Sequence, residues 1–271
     1  MKTNLRRSAF VWSVCLMAWA LCNTAHASSI LLGSDYLETL PGTFFDFGPP
    51  IGSVPLKGLP LNPGVLGTTD TIVQRKADAI LPGVGSSAAI PIELVQLSLV
   101  SVSPVTIGPL FYDVFVHLTP LTTSSGTMTI RHEFADNGGP APEGTFDSFF
   151  DVFFTADFTE VGNPLNTFPV ISTARMAASG APWSHEPMLP GTLLVTGLAG
   201  DQNANDHTSR PPLFGDDHVQ QIVHTKILGG PGAHLVQPAS QPIPEPSTLA
   251  LGLIGLAGLG FVALRKKYRR A

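Results

Sequence analysis

Hydrophobic and polar side chains alternate with a period of two in the middle of the chain. In the stretch TMTIRHEF, the residues Met128, Ile130, His132 and Phe134 fall on one face, and threonine and charged residues fall on the other. This alternation predicts a strand that buries one face and exposes the other.

Other segments carry strand patterns of different kinds. The mainly apolar run IELVQLSLVSV at 92–102 predicts a central strand, and GTLLVTGL at 191–198 predicts another. The segment TIVQRKADAI at 71–80 fits either a strand or a short helix. Clusters of turn-forming residues separate such segments at 83–87, 137–140, 162–164 and 229–232. We therefore predict an all-β fold over residues 28–236, an antiparallel β-sandwich of the jelly-roll or immunoglobulin-like type.

Two segments, at 111–119 and 149–159, repeat the pattern F-[YF]-D-V-F-[VF]. Each places Phe, Asp and Phe on one strand face. We interpret them as equivalent core strands, because phenylalanine lacks the polar group that sugar-binding aromatic residues usually carry. The alternative is an aromatic and acidic surface that binds the apolar side of sugar rings.

The first 27 residues have the layout of a secretory signal peptide. Basic residues precede an apolar run at 9–21, and Ala25 and Ala27 occupy the two positions that signal peptidase reads. We expect export through the Sec translocon and cleavage after Ala27. Both cysteines, Cys15 and Cys22, lie within the leader, so disulfides, thiol catalysis and cysteine-bound zinc are excluded for the exported chain.

The exported part is strongly acidic. Between residues 28 and 242, 19 acidic residues outnumber seven basic ones. Because the surplus charge repels phosphate groups, it excludes nucleic acid as a partner and argues against binding to an anionic membrane surface by charge.

A second apolar run, at 249–264, contains no charged or strongly polar side chain. As a helix it would extend for roughly 24 Å, which is short for a hydrocarbon core about 30 Å thick. Snorkelling of the basic side chains that follow can lengthen the span. We predict a transmembrane helix with a cytoplasmic tail over residues 247–271. The basic residues that stop transfer are Arg265, Lys266, Lys267, Arg269 and Arg270.

The segment at 237–246 contains four prolines and predicts a stiff, extended linker. Within it stand Pro244, Glu245 and Pro246, followed by Ser-Thr, the Gly/Leu/Ala-rich run and the basic cluster. This order resembles the PEP-CTERM sorting signal of Gram-negative bacteria over about the last 28 residues. The resemblance implies processing by an exosortase near Pro244–Glu245–Pro246, in a species that makes extracellular polysaccharide. It further implies an inner-membrane-anchored intermediate and a final location at the cell surface or outside the cell.

Signals for catalysis or metal binding are weak. The motifs of serine hydrolases, dinucleotide binding and phosphate-binding loops are absent. Seven histidines without ligand spacing are expected in surface loops, namely His117, His132, His185, His207, His218, His224 and His234. The stretch DQNANDHTS at 201–209 resembles the opening of a calcium loop, but Asp206 and Pro212 replace the glycine and glutamate of an EF-hand. We predict no catalytic residue, no metal ligand and no cofactor, with a looser calcium site as the alternative.

These features predict an exported surface or matrix protein without enzymatic activity, structural or adhesive in exopolysaccharide or biofilm. The competing hypothesis is a secreted polysaccharide-binding module or hydrolase. A concave site with aromatics and paired carboxylates would favour the competitor, whereas buried phenylalanines would favour a structural role.

Overall fold

The computed structural model describes residues 28–135, 141–185, 218–219, 222–226 and 231–240. These ranges contain fifteen strands and one helical turn. In chain order they are β1 (Ser28–Ile30), β2 (Gly33–Thr39), β3 (Phe44–Asp46), β4 (Ser53–Gly58), α1 (Pro63–Leu66), β5 (Thr71–Arg75), β6 (Ala79–Leu81), β7 (Ser87–Ser101), β8 (Val105–Ile107), β9 (Leu110–Leu118), β10 (Ser124–His132), β11 (Gly144–Glu160), β12 (Thr167–Ser184), β13 (His218–Val219), β14 (Ile222–Lys226) and β15 (Gly232–Pro238).

Eight of these strands form a closed path of antiparallel pairings. The path runs β7–β10–β11–β12–β14–β15–β2–β5 and returns to β7. The long strands β7 and β11 also pair with β9, so each takes part in two regions of the sheet. The all-β, antiparallel class is therefore confirmed, and a sandwich is compatible with inner faces that pack around one main core. The two flanking helices of the prediction lie outside the described residues.

The strand patterns are largely confirmed. Strand β7 is central, since it pairs with β4, β5, β9 and β10. The ambiguous segment at 71–80 forms β5 and the start of β6. On β10, Met128 and Ile130 are buried as predicted, and His132 is buried on the same face. Phe134 is exposed because the strand ends at His132. The predicted strand at 191–198 lies outside the described residues.

The core is rich in aromatic side chains that β11 delivers at alternate positions. Phe146, Phe150, Phe154 and Phe158 all point inward and are buried. Phe154 stacks on Phe45 with ring centroids 5.2 Å apart. Such rings bury a large apolar area and dominate the energy of a core, so the even-numbered residues of β11 anchor the fold. The odd-numbered residues face outward except for Thr155, which is buried.

The last described strand runs into the predicted linker. Gln237 and Pro238 belong to β15, and the backbone of the next two residues remains attached to the domain. Ala239 is fully buried. The folded domain therefore extends up to Ser240, close to the Pro-Glu-Pro segment.

Candidate functional site

The outward side of β10, β11 and β12 carries a cluster of charged, aromatic and small polar side chains, which we call the outer groove. The alternation of β11 places Asp147, Phe149 and Asp151 on this side. Register pairs Asp151 with Arg175 of β12, and Thr129 of β10 with Asp147. Pairing of strands that are distant in sequence thus assembles residues that no local motif connects.

Two arginine–aspartate pairs cross between these strands. Arg175 donates from Nε to Asp151 Oδ1 at 2.7 Å and from Nη2 to Asp151 Oδ2 at 2.6 Å. Arg131 Nη2 donates to Asp147 Oδ2 at 2.5 Å. Asp147 Oδ1 also accepts bonds from Ser179 Oγ and the Gly180 amide, at 2.7 and 2.9 Å. Planar charged pairs of this kind present hydrogen-bonding groups in fixed directions.

These contacts set the ionisation of the carboxyl groups. The hydrogen bond from Arg131, assisted by Ser179 and Gly180, lowers the pKa of Asp147 to about 2. The hydrogen bond from Arg175 likewise lowers the pKa of Asp151. Both groups are therefore ionised at neutral pH and hold no proton to donate.

An aromatic ring forms part of the same surface. The guanidinium carbon of Arg175 lies 4.9 Å from the ring centroid of Phe149, in cation–π contact. A shallow cavity of about 420 Å³ lies beside them and is lined by Thr127, Thr129, Asp147, Phe149, Arg175 and Ser179. Hydroxyl, carboxylate and guanidinium groups next to an aromatic ring suit a ligand that has many hydroxyl groups and apolar C–H faces.

The repeated segments at 111–119 and 149–159 each have a core face and an exposed face, so the core interpretation and the surface interpretation each describe one face. One face of each is core, with Tyr112, Val114 and Val116 in β9 and Phe150, Val152 and Phe154 in β11. The other face is open to solvent, where Phe111 is 56% exposed, Phe115 40% and Phe149 36%. The core interpretation holds for the inward face, and an aromatic and acidic surface exists on the outward face.

The prediction that the histidines lie in surface loops is wrong for the four whose side chains the structure describes: His117 lies on strand β9, and the other three are buried. His132, His185 and His234 are buried. His185 is held by Glu143, which accepts bonds from its amide at 3.0 Å and pairs with its Nδ1 at 2.6 Å. His234 Nε2 lies 3.1 Å from Thr39 Oγ1. Sequence spacing did not reveal these partners, because they are far apart along the chain.

His132 has a different environment from the other two buried histidines. Neither of its ring nitrogens has a hydrogen-bond partner among the described residues. Its ring centroid lies 6.0 Å from that of Trp183, which in turn lies 5.3 Å from His185. In the described ranges, no group of three or more histidine, cysteine, aspartate or glutamate side chains is placed to hold a metal ion.

Asp70, directly before β5, differs from the outer-groove carboxylates because it is buried and no arginine among the described residues donates a hydrogen bond to it. It accepts hydrogen bonds from the amide and hydroxyl of Thr39, at 2.7 and 2.6 Å, and from the hydroxyl of Thr71 at 2.7 Å. Burial raises the pKa of Asp70 to about 6, because desolvation outweighs these bonds. Thr39 also lines a cavity of about 680 Å³ whose walls, including Pro55, Leu56 and Val102, are mainly apolar.

Several predicted features fall outside the described residues. They are the signal peptide with Ala25 and Ala27, the segment at 201–209, the triplet Pro244–Glu245–Pro246, and the helix at 247–271 with its basic residues. In the part of the chain that the structure covers, no helix has the length and apolar character needed to cross a membrane.

Comparison with known proteins identifies the sorting segment. A family model of the PEP-CTERM protein-sorting motif matches residues 242–270. The resemblance seen in the sequence is thus confirmed: the chain carries a PEP-CTERM motif, the mark of an exported protein sorted to the cell surface with an exosortase as processing partner. No curated protein matches the chain, and no solved structure does.

Proposed function

We propose that this protein is a component of the cell surface or extracellular matrix whose β domain is a non-enzymatic structural or adhesive module. The PEP-CTERM motif at 242–270 carries the proposal, because delivery to the surface follows from it. The route begins with signal cleavage after Ala27. It continues through an intermediate that residues 247–271 anchor in the inner membrane, and ends with processing near Glu245.

The ionisation of the outer groove supports a role without catalysis. Hydrolysis of a glycosidic bond needs a carboxyl group that keeps its proton near neutral pH. Asp147 and Asp151 do not meet this requirement, because a hydrogen bond from an arginine lowers the pKa of each. Asp70 has a raised pKa, but its carboxylate is buried and already bonded to Thr39 and Thr71.

Polysaccharide binding by the outer groove is the second candidate function. It is favoured by the cavity of about 420 Å³ that brings Phe149, Arg175 and Asp147 together on an open surface. Arginine–aspartate pairs can share hydrogen bonds with adjacent sugar hydroxyls, while Phe149 covers a C–H face. This function is compatible with an adhesive module and would give it a ligand in exopolysaccharide.

Sorting is tested in cells that contain or lack the exosortase. The mass and location of the chain are measured in both, together with a variant in which Pro244, Glu245 and Pro246 are replaced by alanine. We expect a shorter chain at the surface in the presence of the enzyme, and an uncut, membrane-bound chain in its absence and in the variant. An uncut and anchored chain under all conditions would contradict the proposal.

Polysaccharide binding is tested by a thermal-shift screen of the exported protein against glycans, with and without calcium. A glycan that binds the outer groove should raise the melting temperature of the parent and lose this effect in Phe149→Ala. Phe111→Ala is the matched control, because Phe111 is an exposed phenylalanine on β9 outside the groove. A shift that persists in Phe149→Ala, or that Phe111→Ala removes equally, would contradict binding in the outer groove.

A further inference from the structure

An uncharged loop lies beside the point where the chain leaves the folded domain. Residues 59–69, LPLNPGVLGTT, contain no ionisable side chain, and we call them the exit loop. The Thr68 amide donates to the Ser240 carbonyl at 3.2 Å, and the Ser240 amide donates to Thr68 Oγ1 at 2.9 Å. Ala239 packs in one buried cluster with Leu66 and Tyr36. The departing chain is therefore fixed to the exit loop.

The exit loop has a defined shape that turns apolar side chains outward. Leu61 donates its amide to Thr69 O at 2.8 Å, and Leu66 donates to Asn62 O at 2.7 Å. Leu66 is buried, whereas Leu59 is 43% exposed and Val65 is 59% exposed. Two aliphatic side chains thus face away from the domain at the end from which the chain departs.

The chain beyond Ser240 limits how far this end can move from a bilayer. Nine residue steps separate Ser240 from Leu249, where the predicted transmembrane run begins. Fully extended, they reach about 30 Å. A tether of this length keeps the exit loop at a high effective concentration next to the membrane, so even a weak contact becomes populated.

We propose that the exit loop rests on the outer surface of the inner membrane while the chain is anchored, with Leu59 and Val65 in the lipid interface. This inference rests on the anchored intermediate of the proposed function. Aliphatic side chains partition into the boundary between headgroups and acyl chains. The exit loop itself brings no negative charge toward anionic lipids, and the carboxylate nearest the exit point, Glu38, is bonded to Gln237 and Ser240. Two side chains bind too weakly to hold the domain without the tether, so cutting near Glu245 releases it.

The test uses the anchored intermediate itself, residues 28–271 without the leader, which contains no native cysteine. A single Val65→Cys is labelled with a fluorophore, and the protein is reconstituted in phosphatidylcholine vesicles that contain a nitroxide-labelled lipid. Val84→Cys is the matched control, since Val84 is a valine with 58% exposure. Val84 precedes the first residue of β7, whereas the Leu59 amide donates to Ser98 O near the other end of that strand. Along β7 these two places are roughly 35 Å apart.

We expect the nitroxide lipid to quench the label at position 65 and not at position 84. Cleavage at a protease site inserted after Ser240 should abolish the quenching at position 65. Equal emission at the two positions in vesicle-bound protein, as expected if the loop contacts a protein instead of lipid, would overturn the inference alone. A chain that fails to float with the vesicles would overturn the anchored intermediate, and the inference with it.

Discussion

An aspartate–arginine pair occurs both in the core and on the outer groove, and the two pairs differ in their exposure to water. Asp35 and Arg75 join β2 and β5, with side chains 4% and 0% exposed. Asp151 and Arg175 join β11 and β12, and each side chain is 42% exposed. Water competes for the outer pair and screens it, whereas the inner pair has lost its hydration and depends on protein partners. The inner pair therefore constrains the fold, and the outer pair can exchange hydrogen bonds with a ligand at little cost.

Asp70 adds a third environment to this comparison. It is as buried as Asp35, but threonine hydroxyls and an amide replace the guanidinium as its partners. Hydrogen bonds from neutral groups compensate for the lost hydration less fully than a cation does, and the raised pKa reflects this.

The largest effect is expected from breaking the inner pair. Arg75→Met should lower the free energy of unfolding by about 3–5 kcal/mol, because it leaves Asp35 buried without its cation. Urea denaturation of the exported chain measures the loss. The double variant Asp35→Leu/Arg75→Met should be more stable than Arg75→Met, since an apolar pair leaves no buried charge. A double variant as unstable as the single one would contradict this account.

The next effect is the pH dependence that Asp70 contributes. Its folded pKa of about 6 lies above the ordinary value of 3.8, so the folded state holds the proton more tightly. Stability should be greatest below about pH 4 and fall by about 3 kcal/mol as the pH rises to about 6. Asp147 has the opposite shift, and its contribution is lost as the pH falls from 3.8 to about 2.

The contribution of Asp70 is measured as the difference between the parent and Asp70→Asn across this range. The comparison is needed because Glu38 raises the pKa of Asp70 and His234 contacts the same Thr39 hydroxyl. We expect the stability of Asp70→Asn to change less between pH 4 and 6. Parallel curves for the two proteins would show that Asp70 does not titrate there.

A smaller loss is expected at Gly58, which approaches Asp70 closely. A Cβ atom at position 58 would stand 1.8 Å from Asp70 Oδ2. Gly58→Ala should displace the carboxylate from its threonine partners and cost about 1–3 kcal/mol. Gly64→Ala is the control, because the nearest atom to its added Cβ lies 3.9 Å away. Equal melting temperatures for the two variants would contradict the close packing at Gly58.

The smallest effect is expected from the outer pair. Arg175→Ala, Asp151→Ala and their double variant form a cycle that isolates the pairing energy, which should be below about 1 kcal/mol and should decrease with added salt. A coupling as large as that of the inner pair would remove the distinction between the two sites. If the coupling is this small, Arg175 can exchange its bonds to Asp151 for bonds to a ligand without destabilising the fold.

The sequence was sufficient to predict which side chains are buried wherever the alternation along a strand alone determines it. The alternation on β10 placed Met128 and Ile130 in the core, because successive residues of a strand point to opposite faces. Phe134 was misplaced because β10 ends at His132, where the amides of residues 133 and 134 both turn to Glu143 O. The end of a strand depends on its neighbour, and a local pattern carries no information about that.

The outer groove and the buried histidines required the register of distant strands. Asp151 and Arg175 are 24 residues apart, and His234 meets Thr39 across 195 residues. No spacing rule connects such positions, so the sequence indicated an aromatic and acidic face without showing that arginine neutralises it. The sorting motif is a continuous stretch of sequence, so it could be identified without knowing which distant residues lie near it in the fold.

The closed path of eight strands bears on how this protein behaves among many copies of itself. Each strand of the path already has a hydrogen-bonded neighbour on both sides. Along most of the path an incoming chain finds few unpaired backbone groups with which to extend the sheet, which is the usual start of fibril growth. The exception is β12, which pairs with β14 only at Met176 and Ala177, so that residues 167–175 have one edge without a partner among the described residues. In a crowded matrix the molecule is thus expected to stay a discrete unit, and its cohesion with its surroundings must come from side chains on its surface.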